Sequence, residues 1–375
     1  MMKNYLQRVP WTLLFMLFLL TSCSVGHQSE TIIISSNDAE DIQHPGSSPV
    51  QVQKIYRLPD EYMGQWLGWS SSHSIIGSYK TASIPERSIL TRLDQPFEQS
   101  NNIKELSTNN VQTILSPDGK YITEMYNTNL DVNIKILSLA DGQEATVDTV
   151  NTKDKFLQDV SWSNNGKYLS YLVLDSSGSD KASLRLYNME SRTLQVYEFQ
   201  DIDEGGTLLG MNVSEDGRSV LFESMHSGKT NVLLGKINNK TIEKRYVRQI
   251  GREQNPAWIS NDQFVFLGTD GTLYEYDQRN SELSIILERV SIFEISQDKK
   301  FIAYSLRDED VVYVGKMQGR NILFNEPVYH GIVPTTMYWN TDSSRLLIQN
   351  QKSYTHSEPG QVDFAAGPSF IIEFK

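Results

Sequence analysis

One cysteine, Cys23, is all the thiol this chain contains. No disulfide can form within it, even in an oxidising compartment where a protein of this size could use several. A basic stripe is missing too: Lys and Arg are scattered, and the formal net charge is -12. Nucleic-acid binding needs clustered cations to neutralise phosphates, so that class is set aside. No apolar run reaches the roughly 20 residues that a membrane-spanning helix needs. Catalytic signatures are equally sparse. There is no G-x-S-x-G elbow. His73, His226, His330 and His356 show neither HExxH nor His-x-His spacing. "SGKT" (227–230) resembles the end of a phosphate-binding loop, but the position that should be glycine is Glu223 and a strand pattern follows. "NTNLDVN" (127–133) and "DSSGSD" (175–180) offer oxygen ligands without the EF-hand order. Nothing in these patterns demands a cofactor or a metal.

What the sequence has begins at its start. Lys3 and Arg8 precede the apolar run "WTLLFMLFLL" (11–20), a length suited to a signal-peptide core. The run ends in "LTSC", Leu20-Thr21-Ser22-Cys23. This resembles the bacterial lipobox, which implies that residues 1–22 are removed and that Cys23 is lipidated as the first mature residue. Several acyl chains on one residue anchor stably, where a single chain binds marginally. Residues 23–49 are rich in Ser, Asp, Glu and Gln and read as a flexible tether after the lipidated cysteine, with "TIII" (31–34) an apolar island of no evident purpose.

From residue 50 onward the chain repeats. Seven stretches pair an apolar strand with a turn and a second apolar strand: 67–78, 113–125, 160–172, 211–224, 256–268, 293–305 and 337–350. Their first turn residues are Ser70, Ser116, Ser163, Ser214, Ser260, Ser296 and Asn340, a period of about 45 residues that is typical of β-propeller blades. The turn chemistry is explicable. In "LSPDGKYI" (115–122), Pro117 presets φ, Asp118 can bond nearby N–H groups and Gly119 can take a positive φ. "SQDKK" (296–300) lacks the glycine and predicts a strained or differently shaped turn. Trp69, Trp162, Trp258 and Trp339 stand just before their turns, which predicts one large side chain per blade packed between neighbouring sheets. Further strand pairs such as "LRLYNMESRTLQVYEF" (184–199) complete a four-stranded unit.

"LSPDGKYI" with a downstream "LYEYD" resembles the PD40 (WD40-like) repeats of TolB-type propellers, over about residues 50–375. With the lipobox, the whole is similar to Gram-positive lipoproteins carrying TolB-like or YqgU-like propellers. That resemblance implies an all-β propeller, often of six blades. The seven hairpins here predict seven, with six as the alternative. "VQVQKIYRL" (50–58) is predicted to supply the outer strand of the last blade, whose own strands end at "SFIIEFK" (369–375), so that no edge stays open.

The tight turns should share one face, and the irregular connections the other. Varied loops on a rigid scaffold are where binding usually resides, so candidate contacts are Asp201, Asp203, Glu204, His226, Arg252, His330, Tyr354 and His356. The expectation is a monomeric, extracytoplasmic, lipid-anchored module that binds a protein, peptide or glycan at the cell envelope. The alternative is a propeller enzyme, a polysaccharide lyase or lactonase-like hydrolase, with a central site on which His226, His330 and His356 could converge.

Overall fold

The computed structural model describes residues 31–33, 50–59, 64–81, 84–175, 182–200, 206–251, 255–353 and 364–375. The elements among them are strands, with no helix. They form antiparallel four-stranded meanders, strands a to d from the hub outward, and seven such blades succeed one another around the ring. Blade 1 spans 64–105, blade 2 110–151, blade 3 155–200, blade 4 207–249, blade 5 257–287 and blade 6 290–330. Blade 7 takes strands a to c from Pro334–Trp339, Arg345–Ser353 and Phe370–Phe374, and strand d from Val52–Arg57. Blades 3 and 4 are fused at the rim. Their outer strands pair in parallel, with Glu198 opposite Thr241 and Gln200 opposite Glu243. Seven, rather than six, is therefore the number of four-stranded units.

Closure occurs as the sequence predicts, with Ile55 opposite Ile372 and Arg57 opposite Phe370. The chain then adds something unforeseen. Thr31–Ile33, inside the segment read as a tether, pairs outside Val52–Arg57, with Ile32 opposite Ile55. Thr31–Ile33 of the "TIII" island is thus a fifth strand on the outer edge of blade 7, in a position that shields it.

Both faces of each middle strand are buried, which is why those strands read as nearly continuous apolar runs. Val220, Leu221 and Phe222 of blade 4 are all at most 1% exposed. The core is a ring of seams. Leu67, Ile76 and Leu90 of blade 1 meet Ile122 and Leu137 of blade 2. Leu221 and Val232 of blade 4 meet Phe264 and Phe266 of blade 5. Tyr56 and Leu347 of blade 7 meet Trp69 and Ile75 of blade 1.

Three of the four tryptophans that precede turns stitch these seams, while the Trp162 indole N–H is buried without a partner among the described residues. The indole N–H of Trp69 donates to the Tyr338 carbonyl at 2.9 Å, that of Trp258 to Asn212 at 2.9 Å, and that of Trp339 to Glu294 at 3.1 Å. In each case the acceptor lies on the inner strand of the preceding blade.

The a–b turns are built alike. The Ser116 hydroxyl donates to Asp118 Oδ1 at 2.7 Å and accepts from the Tyr121 amide at 2.9 Å. Ser163 with Asn165, Ser214 with Asp216 and Ser296 with Asp298 repeat the arrangement. The blade 6 turn keeps the same form without glycine, with Lys299 at φ 61° where blades 2 to 4 have glycine, and blade 7 has Ser343 at φ 61° in the same place, so these turns are strained and not reshaped.

Gly119 is fixed by two constraints. Its φ is +72°, and a Cβ there would lie 2.7 Å from the Ser70 Cα and carbonyl oxygen of blade 1. Gly142 has a nearly equal φ of +70° with nothing within 4 Å. Gly119→Ala is therefore expected to cost about 2–4 kcal/mol, strain plus overpacking, and Gly142→Ala about 1 kcal/mol, strain alone. Urea unfolding of both variants checks this; equal costs would refute the seam contact.

Candidate functional site

The two ends of the ring are unlike. Tight a–b and c–d turns share one end, tied by backbone bonds such as Leu139 N–H to Lys120 O and Met189 N–H to Lys167 O, both 2.9 Å. The b–c and d–a connections occupy the other, as predicted.

On that loop face the predicted residues scatter or fall outside the described residues. His226 is exposed at the end of strand b of blade 4, opposite Lys229. His330 is exposed at the end of strand d of blade 6, opposite Val311. Asp201, Asp203, Glu204, Arg252, Tyr354 and His356 lie outside the described residues, as does Cys23. Among the described residues no three His, Cys, Asp or Glu groups approach closely enough to hold a metal ion. His73 sits on the turn face, bonded to Gln95 and Arg345.

Among the described residues the loop face also presents apolar side chains. Twelve large hydrophobic residues are exposed among the described residues. Six of them, such as Val247 and Ile285, lie on outer strands around the rim. The other six, Val111, Leu130, Phe156, Leu209, Met225 and Val333, are all at the loop end. All but Val333 belong to blades 2 to 4. Val111, Phe156 and Leu209 stand near the starts of three successive inner strands, exposed at 53%, 46% and 37%. Bulges aim them: the register slips between Asn110 and Gln112, and again between Leu208 and Gly210, leaving Val111 and Leu209 as the extra residues.

The same slip in blade 3 singles out Asp159, at φ 49°. Its carboxylate accepts the Met211 amide at 2.7 Å. Asp159 and Glu223 flank Gly210 so closely that a Cβ there would be 3.4 Å from an oxygen of each. Burial, with the neighbouring Asp159 charge adding to it, pushes the Glu223 carboxyl up to about 7. Burial also raises Asp159, against the bond from Met211. The pair can hold and release a proton near neutrality.

A cavity open to solvent lies at the opposite, turn end of the hub. It has a volume of about 290 Å³ and takes its walls from every blade except blade 4. Trp69, Trp258, Trp339 and Tyr338 line it together with Glu294, and Leu115–Pro117 of the first hairpin form another part of the wall. Pro117 and Gln297, both exposed, mark its mouth. Sequence reasoning placed the site on the loop face because loop variability is visible in a sequence. The signal that could have found the cavity is the tryptophan column itself, since seven inner strands end together around one axis.

No protein-family model and no curated protein matches this chain. Solved structures do. An oligogalacturonate lyase in complex with manganese aligns with TM-score 0.57 at 12% identity, covering 93% of this chain and 98% of that one. An oligogalacturonate lyase from Vibrio parahaemolyticus gives 0.58 at 12%, covering 92% and 97%. The RRP9 WD40 repeats give 0.56 at 12%, covering 87% and 100%. At such identities the likeness is one of fold: this chain is a β-propeller of WD40-like architecture.

Proposed function

We propose that the protein is a lipid-anchored extracytoplasmic binding module of the TolB-like kind, whose loop face docks a protein or peptide over blades 2 to 4. The apolar arc of Val111, Phe156 and Leu209 carries this reading. Exposed apolar residues gathered at one end of a rigid scaffold mark an interaction site. Aliphatic residues with a single aromatic suit a protein partner better than a glycan. The "LTSC" stretch supports the anchor. Seven residues lie between Cys23 and Thr31, and the eight Cα-to-Cα steps reach at most about 28 Å when fully extended. Thr31 belongs to blade 7, which stands across the ring from blades 3 and 4. An anchored chain would therefore hold blade 7 toward the membrane and the arc away from it.

An enzyme is the second reading, and the Asp159–Glu223 pair is the observation that favours it. A carboxyl near 7 is suited to proton transfer.

Photoreactive side chains placed at Phe156, at Lys120 on the turn face and at Val247 on the rim test the main reading in cells. A discrete adduct is expected from Phe156 alone, abolished by Leu209→Asp, which as a surface change should shift stability by at most about 0.5 kcal/mol. Equal adducts from all three positions, or adducts that survive Leu209→Asp, would reject it.

A further inference from the structure

We propose that the hub cavity on the turn face is a binding site for a small organic cation, a ligand carrying a substituted ammonium group. This inference is independent of the loop-face reading, since the two surfaces lie at opposite ends of the ring.

The geometry supplies two complementary halves. The first is an aromatic wall. Trp69, Trp258 and Trp339 line the cavity with their indole N–H groups already used on backbone carbonyls of neighbouring blades. The three indoles are packed into the seams, at most 9% exposed, so a ligand meets only the part of each ring that reaches the cavity, joined by the half-buried Tyr338. Aromatic faces attract cations through the ring quadrupole, and more strongly where water is excluded. The second half is a counter-charge. Glu294 is the carboxyl of the wall, and it forms no side-chain hydrogen bond or ion pair with any described residue. The Glu294 side chain is half-buried, and a carboxyl facing a confined cavity without a protein partner is costly to ionise, so a ligand cation would supply a partner that otherwise only water provides. Once ionised, the same group would repel an anion. The one cation of the wall, Lys299, is paired with Glu215 of blade 4 at 3.1 Å.

Proton linkage gives the site a signature. Burial holds Glu294 up to about 8, so the empty site keeps its proton at neutral pH. The other ionisable groups around it are Tyr338, Lys299 and Glu215. Tyr338 is pushed up to about 12 by burial and by the Glu294 charge, and stays neutral. A bound cation favours the ionised carboxylate, so binding should release a proton. Affinity should then rise roughly tenfold per pH unit from 6 toward 8 and level off above.

The probes are choline and tetramethylammonium, with 3,3-dimethylbutan-1-ol as the uncharged isostere of choline. Tryptophan fluorescence and calorimetry in two buffers of different ionisation enthalpy read them out. Saturable binding of an ammonium probe with proton release is expected, with the neutral isostere at least tenfold weaker. Glu294→Gln keeps the shape of the side chain. It should weaken ammonium binding at least tenfold and remove the pH dependence, while its melting temperature confirms the fold. The proposal is overturned if the neutral isostere binds as well as choline, if Glu294→Gln binds as the parent does, or if neither ammonium probe saturates by about 10 mM, a weaker limit than any specific small-ligand site should show.

Discussion

Arg345→Met is expected to destabilise the protein by about 2–4 kcal/mol, somewhat below the roughly 3–5 kcal/mol for removing one partner of a fully buried ion pair, because the Glu373 side chain keeps 18% of its surface in solvent. Arg345 is 5% exposed, near the start of strand b in blade 7. One arm of its guanidinium donates to Glu373 Oε1 at 2.6 Å, on the last strand of the chain. The other donates to the Ser72 carbonyl at 2.6 Å and meets His73 Nδ1 at 3.1 Å, both in the first hairpin of blade 1. The Glu373 carboxylate also accepts from the Tyr56 hydroxyl at 3.0 Å, and that hydroxyl accepts from Gln95 at 2.9 Å. One side chain thus ties blade 7, its closing strand and blade 1 together at the seam where the ring shuts. A planar fork reaches all these acceptors and an ammonium cannot, so Arg345→Lys should keep only part of the stability. Arg345→Met with Glu373→Leu should recover much of the loss, because no buried charge then remains. Urea unfolding of the single and double variants decides. A loss under about 1 kcal/mol for Arg345→Met would mean that the latch is ornamental to the fold.

The structure explains what the sequence could and could not show. Blade number was legible because each blade opens on a similar hairpin, with Ser or Asn first in every turn and Asp-Gly or Asn-Gly following in blades 2 to 4. Closure was legible because 369–375 leaves a blade one strand short and 50–58 has the alternation to fill it. The latch was not legible. "SSRLLIQ" reads as an ordinary strand opening, and the partners of Arg345 include Ser72, more than half the chain away. The bulges were hidden for a related reason. Asp159 in "LQDVSW" looks like one more polar residue of an alternating strand, and only the register slip shows that it turns toward Glu223. "TIII" was too short, and too far from any turn signal, to be read as a strand.

The search for function moved to irregular loops because variation is what a single sequence displays. The apolar arc does lie on that face, yet none of its residues was among the polar candidates. Exposure depends on where a strand bulges, and Val111, Phe156 and Leu209 read in sequence as ordinary apolar strand positions. "LSPDGKYI" returns in a different role. Its Ser116, Asp118 and Gly119 are turn chemistry, while its Leu115, Ser116 and Pro117 form part of the hub cavity wall.

Removing the closing strand is expected to have the largest effect of all. Residues 50–58 carry Val50, Ile55, Tyr56 and Leu58, each at most 6% exposed. Fully burying such side chains contributes about 1.5–3 kcal/mol apiece, so their loss amounts to about 6–12 kcal/mol, as much as the whole stability of an ordinary domain. It would also leave Phe370–Phe374 as an unpaired apolar edge, open to pairing with another chain. The chain 59–375 should therefore aggregate or lack a cooperative melt. The chain 34–375 loses only the short outer strand and should melt within a few degrees of 24–375, since one edge strand costs on the order of 1–2 kcal/mol. A peptide of residues 50–58 added in trans should raise the stability of any 59–375 that stays in solution, because a ligand that binds only the folded state shifts the equilibrium toward it. Differential scanning calorimetry of the three chains makes the comparison. Equal melting temperatures for 59–375 and 24–375 would show that the ring holds without its N-terminal strand, and the stability of this propeller would then have to reside in the seams between blades alone.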